Sequence, residues 1–598
     1  MSSSASHADP NRRSPRPHHP GQTTDQAGRR PGGARSLIDF STFLVALLGL
    51  VLLVLVVPPL WSLVAGSLHR TTETGAAGDF TLDYYQRLFA DRRFLVSLTN
   101  SALFAIGSAA LAIVCGGGVA WLVARTNVPF KGCAYLTAIV SLGTPFVLYV
   151  TAWLFLLGHA GPLNDLLRRF GGDDPAEFNV YSITGMILVE GLLWSPMAFL
   201  LLSAVFGAAN ADYEDAARMC GAGMLATLRR ISLRLALPGF CAVALLVAIR
   251  SIEAFEVPAL VGLPGNVKVL TTDIFLDMTR AVPPDFGYSS AFSVALLALA
   301  AILIALYARL LRHAARYQTV TGRAFRPREF DLGRWRPLGG ALVVANFFVV
   351  LVVPIGALLW LSLMPFSQTI SREGLGLLTL ANYAAVLRTD VYVQEAWQTV
   401  LIAAGAATGV MGLMVAAAWL VVRRRRGAFL LDQLATVPLI FPGIVLGVAM
   451  MQIFLAAPVS IYGTLWAFVI AFTIRFLPYG MRYAASGIIQ IHTELEESAI
   501  VAGAGTVTVL RRIVMPLAAP SIAAGWLFIF LVVARDLSLA VILASPTAQP
   551  VAVTMFDLWS NGQGTELAAF GLVWTALMTI VAVAFHVLGR RSAAVFET

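Results

Sequence analysis

"LEESAIVAGAGTVTVLRRIVMPLAAP", residues 495–520, decides how this chain is read, because a near copy, "YEDAARMCGAGMLATLRRISLRLALP", stands at residues 213–238. Glu214, Ala217, Gly221, Arg229, Arg230 and Pro238 return as Glu496, Ala499, Gly503, Arg511, Arg512 and Pro520, each 282 positions later (496 minus 214) with no insertion. Each copy predicts a short helix, a glycine break, and a second short helix running into an apolar stretch. The acidic residue opening the first helix suits its positive N-terminal end and can also meet a partner's cation. Gly221 and Gly503 supply the left-handed turn that ends it. Small residues at Ala216 and Ala217, or at Ser498 and Ala499, let another protein's backbone approach closely. The paired arginines that follow suit a lipid headgroup layer. A loop kept this constant in two places points to a specific partner.

Outside these loops the 598-residue chain is strongly apolar, with 58% of residues in the hydrophobic set, 13% charged and a mean hydropathy of +0.77. Water is therefore not its main solvent. Apolar runs of about 20 residues recur, enough to cross about 30 Å of hydrocarbon as helices. The alternating pattern of a membrane barrel is missing from the sequence, so the expected spans are helical. They fall at 40–66, 96–124, 134–157, 181–207, 237–262 and 288–310, then at 339–364, 397–422, 433–456, 463–485, 516–544 and 568–589.

The two sets of six are repeats. "LVVP" ending at Pro58 returns ending at Pro354, "TLDYY" from Thr81 as "TLANY" from Thr379, and "AWLVAR" ending at Arg125 as "AWLVVR" ending at Arg423. Pro145 pairs with Pro442, and Pro196 with Pro478. An even number of spans per repeat inserts both halves the same way up, related by a pseudo-two-fold axis along the membrane normal. The expected fold is all-α and polytopic, with about twelve spans in two parallel six-helix repeats. The expected organisation is a disordered cytoplasmic tail at 1–37, a first half at 38–315, an Arg-rich linker at 316–338 and a second half at 339–592. The repeated loops, at 210–238 and 490–520, join spans four and five of each half.

Lys131 and Lys268 are the only lysines among 42 basic residues, and the arginines gather in short tracts between spans. Arg125 with Lys131, Arg229 with Arg230, the stretch 309–336, Arg423 to Arg426, Arg511 with Arg512, and Arg590 with Arg591 all fall on one side. By the positive-inside rule that side is the cytoplasm, and both termini lie there. This placement accounts for the net charge of +9 without a nucleic-acid partner. Arg92 with Arg93, and Arg168 with Arg169, fall outside, beside acidic residues. Cys115, Cys133, Cys220 and Cys241 have no metal-ligand spacing and predict neither disulfide nor zinc site. No Gly-Lys dipeptide occurs anywhere, so the chain lacks the phosphate-binding P-loop and is not expected to be an enzyme.

Ionisable residues inside spans are costly and mark a pathway or a paired site. They are Glu190, Arg250, Glu253 and Glu256 in the first half and Arg475, Arg535 and Asp536 in the second. The 282-residue shift sets Glu253 opposite Arg535, and this predicts a gate-closing pair between the halves.

The repeated loops resemble the EAA loop of ATP-binding cassette import permeases: Glu-x-Ala, a Gly, then an Ile/Val-x-Leu/Met-Pro ending. The second copy matches through Met515 and Pro516, whereas Arg234 stands at the proline position of the first. The resemblance covers about residues 38 to 592. It implies a type I importer fold and two coupling helices docked in grooves of a separate cytosolic ATPase. Two ATPase copies would bind per chain, holding the ATP and Mg, with an extracytoplasmic binding protein delivering the solute. "RSIEAFEVPALVGLPG" from Arg250, "RDLSLAVILASP" from Arg535 and "FDLWSNGQGTELAAFG" from Phe556 resemble the ferric-iron branch. Carboxylates suit a hard, oxygen-preferring cation. Fused permeases for thiamine, polyamines and 2-aminoethylphosphonate look similar. The rival expectation is a twelve-span secondary transporter driven by an ion gradient.

Overall fold

The computed structural model describes residues 33–71, 77–170, 177–208, 216–217, 219–221, 223–279, 285–315 and 329–596. The expected tail up to residue 32 and the expected linker from 316 to 328 lie outside them.

The first half opens with α1 (Gly33–Leu68), an antiparallel hairpin of β1 (His69–Thr71) and β2 (Ala77–Phe80), α2 (Asp83–Ala90) and α3 (Arg92–Arg125). It continues through α4 (Lys131–Gly143), α5 (Phe146–Leu157), α6 (Pro162–Phe170), α7 (Ile183–Ala208), α8 (Leu233–Glu253), α9 (Leu270–Thr279) and α10 (Phe286–Ala315). The second half holds α11 (Arg336–Phe347), α12 (Val353–Ser362), α13 (Ala381–Arg388), α14 (Asp390–Val422), α15 (Ala428–Thr436) and α16 (Gly443–Ala456). It ends with α17 (Leu465–Ile489), α18 (Thr493–Val501), α19 (Met515–Val533), α20 (Val551–Ser560) and α21 (Gly564–Phe596).

Among the described residues ten helical stretches are long and apolar enough to cross a membrane, and a bent pair at 428–456 makes an eleventh. These fall on eleven of the twelve expected spans. The twelfth position is α17, whose 25 residues reach about 37 Å. Arg475 and Arg482 lower its apolarity.

Two pairs of expected spans are not continuous. The third span of each half, expected at 134–157 and 433–456, breaks before Pro145 and Pro442, and the second-half segments meet at 105°. Proline disfavours helical backbone at the preceding residue and lacks the amide that would continue the ladder. The fifth spans, expected at 237–262 and 516–544, leave helix after Glu253 and Val533. Non-helical backbone at membrane depth survives where it lines a cavity or is buried in protein.

Small residues bring the long helices together, as between membrane helices generally. α3 lies so close to α7 that a Cβ on Gly116 would sit 2.3 Å from the Ser195 carbonyl oxygen. α14 packs on α17 where Gly405 faces Val469, Gly409 faces Thr473 and Gly480 faces Val410. The halves interlock: α1 leans on α15 and α16, while α11 and α12 lean on α4 and α5.

Hydrogen bonds repeat the pseudo-symmetry. Ser67 pairs with Tyr85 and Ser362 with Tyr383, both at 2.8 Å. The Leu270 amide donates to Ser101 Oγ at 3.0 Å, and the Val551 amide to Thr399 Oγ1 at 2.9 Å. The chain enters the second half pinned beneath α3, where the Phe330 amide reaches the Arg125 carbonyl at 2.7 Å and Lys131 meets Glu329 at 2.7 Å.

Two of the arginines on the unexpected side are neutralised locally. Arg93 meets Asp273 at 2.8 Å and Asp277 at 3.0 Å, and Arg168 meets Glu177 at 2.9 Å and Asp165 at 3.1 Å.

Candidate functional site

The breaks after Glu253 and Val533 deliver charges from both halves to one cavity of 280 Å³. Glu190, Arg250, Glu253, Glu256, Arg475, Arg535 and Asp536 all line it, so every ionisable span residue singled out in the sequence faces the same space. Aromatic rings fill the wall between them: Phe146, Trp194, Phe441, Phe476, Tyr479 and Phe528.

Four of the seven charges pair within their own halves. Arg250 Nη1 meets Glu253 Oε2 at 2.9 Å, one helical turn away. Arg475 Nη1 donates to Asp536 Oδ1 at 3.0 Å and to Ser538 Oγ at 3.2 Å. Glu190 accepts the Trp194 indole N–H at 2.8 Å. Contacts also cross between halves: Arg250 Nη2 donates to the Tyr479 hydroxyl, and the Arg535 guanidinium lies 4.6 Å above the Phe146 ring centre.

The expected Glu253–Arg535 pairing therefore gives way to a different arrangement. Glu253 takes Arg250, and the acidic charges acting on Arg535 are Asp536 and Glu256. The 282-residue shift assumed that both positions stay helical. Helix holds at Glu253 but ends at Val533, which turns Arg535 away from the matching direction. Among the described residues no three His, Cys, Asp or Glu side chains converge as metal ligands. The lining is amphoteric and aromatic.

The second repeated loop is α18, a turn, and the segment Thr506–Val509, which runs through a wide turn at Leu510–Val514 into α19. Gly503 has φ of +90°; its amide donates to the Ile500 carbonyl and the Ala504 amide to that of Ala499, both at 2.9 Å. This is the Schellman ending that only a residue comfortable at positive φ permits. Gly221 shares the positive φ, at +82°. In the first loop Met224–Thr227 runs through the same wide turn at Leu228–Ser232 into α8, so Arg234 in place of proline leaves this entry unchanged.

Ala216, Ser498 and both turn glycines are exposed, and Ala217 and Ala499 are half-buried. Glu214 lies outside the described residues. Glu496 departs from its expected role: it is buried, accepting from Trp419 Nε1 at 3.0 Å and from Arg423 Nε and Nη2 at 2.9 and 2.6 Å. Its carboxylate is spent on α14 rather than offered to a partner, because the first turn of α18 rests on that helix's end.

Sequence reasoning missed Tyr479, which carries no motif, and it read Trp419 and Arg423 only as part of the repeated "AWLVVR", not as partners of Glu496. It also missed Met219 and Val501, which are 90% and 89% exposed at positions related by the same shift of 282 (501 minus 219). An apolar residue at the same place in both copies was the available signal.

Comparison with known proteins places the chain among its relatives. A family model described as "Binding-protein-dependent transport system inner membrane component" matches residues 101–316 and 408–596, once in each half. The chain is 25% identical over 507 residues to the ferric transport system permease protein FbpB of Actinobacillus pleuropneumoniae, covering 82% of this chain and 71% of that one. It is also 25% identical over 530 residues to a probable ABC transporter permease protein, y4fN, of Sinorhizobium fredii, covering 85% and 90%. A crystal structure of a bacterial alginate ABC transporter, in complex with its pentasaccharide-bound periplasmic protein, aligns with 48% of this chain and 97% of that one. The TM-score is 0.37 at 17% identity. With the family model covering more than half of the residues, once per repeat, this chain belongs to the binding-protein-dependent transport system inner membrane components, as a fusion of two such units.

Proposed function

We propose that this inner-membrane permease carries ferric iron, delivered by an extracytoplasmic binding protein and driven by two copies of a separate cytosolic ATPase. The observation that carries the reading is the single cavity into which both halves project carboxylates and arginines. Carboxylate oxygens suit a hard cation, and conduction needs sites weak enough to release it. The two exposed loops, each tipped by an apolar side chain at Met219 or Val501, supply paired docking knobs for two ATPase copies. ATP and Mg sit on those partners, since this chain lacks a P-loop. Both termini face the cytoplasm in this reading, on the same side as the arginine tracts.

The aromatic wall favours a second cargo class. Trp194, Tyr479 and Phe146 beside carboxylates would also attract an organic cation such as thiamine or a polyamine. 2-Aminoethylphosphonate, whose phosphonate would seek the arginines, belongs to the same comparison.

Proteoliposomes holding this chain with the ATPase and binding protein encoded beside it test the proposal by uptake of radiolabelled ferric iron. Uptake should require ATP and be insensitive to proton-gradient collapse. Uptake of thiamine, polyamine or aminoethylphosphonate instead would reassign the cargo. Uptake that survives loss of the ATPase and collapses with the proton gradient would favour a secondary transporter.

A further inference from the structure

α14 is the feature the cavity does not use. It stands behind the site, packed against α17 and α19, which carry Arg475, Tyr479 and Phe528 into the lining. Its 33 residues contain no proline and extend about 50 Å, whereas α1, α7, α8, α17 and α19 all contain proline.

Both ends are tied by side chains. At the inner end Trp419 and Arg423 hold Glu496 of α18, and Arg423 Nη2 also reaches the Ile491 carbonyl at 2.9 Å. The ion pair is largely withdrawn from water, with Arg423 and Glu496 side chains 12% and 8% exposed. At the outer end Thr554 of α20 donates to Glu395 Oε2 at 2.8 Å, and the Val551 amide donates to Thr399 Oγ1. The first half repeats the outer tie with the acid on the opposite partner: Ser97 of α3 donates to Asp273 of α9. A contact whose geometry persists while its donor and acceptor change helices is required as a contact.

We propose that α14 is a strut that carries movement of the second coupling loop to the extracytoplasmic face, with Arg423 and Trp419 positioning it inside and Glu395 and Thr399 outside. The assignment rests on the permease reading, in which that loop is pushed by an ATPase. Charge-assisted bonds at the inner end make α18 and α14 move as one body, and an unkinked helix delivers the displacement to α20.

The test uses the full chain with the ATPase encoded beside it, in lipid nanodiscs, with Cys115, Cys133, Cys220 and Cys241 replaced. Nitroxide labels at exposed Phe89 in the first half and Val391 at the outer end of α14 report their separation by pulsed electron paramagnetic resonance. The comparison is between the nucleotide-free and Mg-ATP-vanadate states. The wild-type separation should shift on trapping. R423Q should lose the shift, and the double exchange R423E with E496R should restore it where R423E alone does not. T554V, which leaves the inner end intact, should lose the shift as well, and it decides the matter if R423Q fails to assemble. A wild-type separation that does not move, a shift retained in R423Q or T554V, or a double exchange no better than R423E alone would overturn the strut. Failure of the wild-type chain to bind any ATPase would instead remove the permease reading beneath it.

Discussion

Gly503 and Gly505 stand two residues apart in the same loop, and the structure assigns them opposite sensitivities. Gly503 has φ of +90°, and a Cβ there would meet nothing within 4 Å, so G503A introduces backbone strain and no clash. Left-handed backbone costs an L-residue about 1–2 kcal/mol relative to glycine. The loop conformation bound by a partner should then be depleted roughly 5- to 30-fold. Gly505 has φ of −74° and equally open surroundings, so G505A adds no strain, and its reduced unfolded freedom is worth at most about 0.4–1 kcal/mol in favour of order. Gly221, with φ of +82° and open space, should behave as Gly503 does. The assay is titration of the detergent-solubilised chain with its ATPase, followed by co-purification and by fluorescence anisotropy. G503A and G221A should each raise the apparent Kd of their own loop by roughly 5- to 30-fold, the G221A/G503A double should abolish stable association, and G505A should bind like wild type. Equal damage from G505A, or normal binding and uptake by the double variant, would show that the positive-φ turns are not what the partner grips.

Three further outcomes follow from the packing and the cavity. G116A would drive a methyl to 2.3 Å from the Ser195 carbonyl oxygen and force α3 from α7, whereas G118A meets nothing within 4 Å. Thermal unfolding in detergent should therefore fall for G116A alone, by an amount typical of overpacking, about 1–3 kcal/mol. A methyl on Gly443 would lie 2.2 Å from Arg475 Nη1 and from Ser538 Oγ, displacing the arginine from Asp536. Because the atoms met are side-chain ends that can shift, G443A should cost no more than about 1–3 kcal/mol and lower uptake by moving the Arg475 head, with the unfolding midpoint as the check. Exchanging charges between Arg250 and Glu253 should preserve more uptake than exchanging them between Glu253 and Arg535, since only the first pair is in contact at 2.9 Å. The opposite ranking would return the cross-half gate.

The sequence alone determined the membrane class, the two parallel halves, the two repeated loops with their glycine turns, and the seven charges placed within spans. These are legible because hydrocarbon enforces long apolar helices, and because internal duplication prints each constraint twice. Helix periodicity and positive-φ glycines act over a few residues, so they need no knowledge of the fold. What only the tertiary structure decided is who touches whom. A repeat shift places Glu253 opposite Arg535 as long as both spans are taken as straight. The helix break beyond Val533 redirects Arg535 to Phe146 and leaves Glu253 to Arg250. Glu496 reads as a docking acid until α18 is seen resting on Trp419 and Arg423, 77 and 73 positions away in the chain. Side-chain pairing at such separations depends on where helices end and at what angle they return. Those angles are set by the packing of the whole bundle, and no local run of residues encodes them.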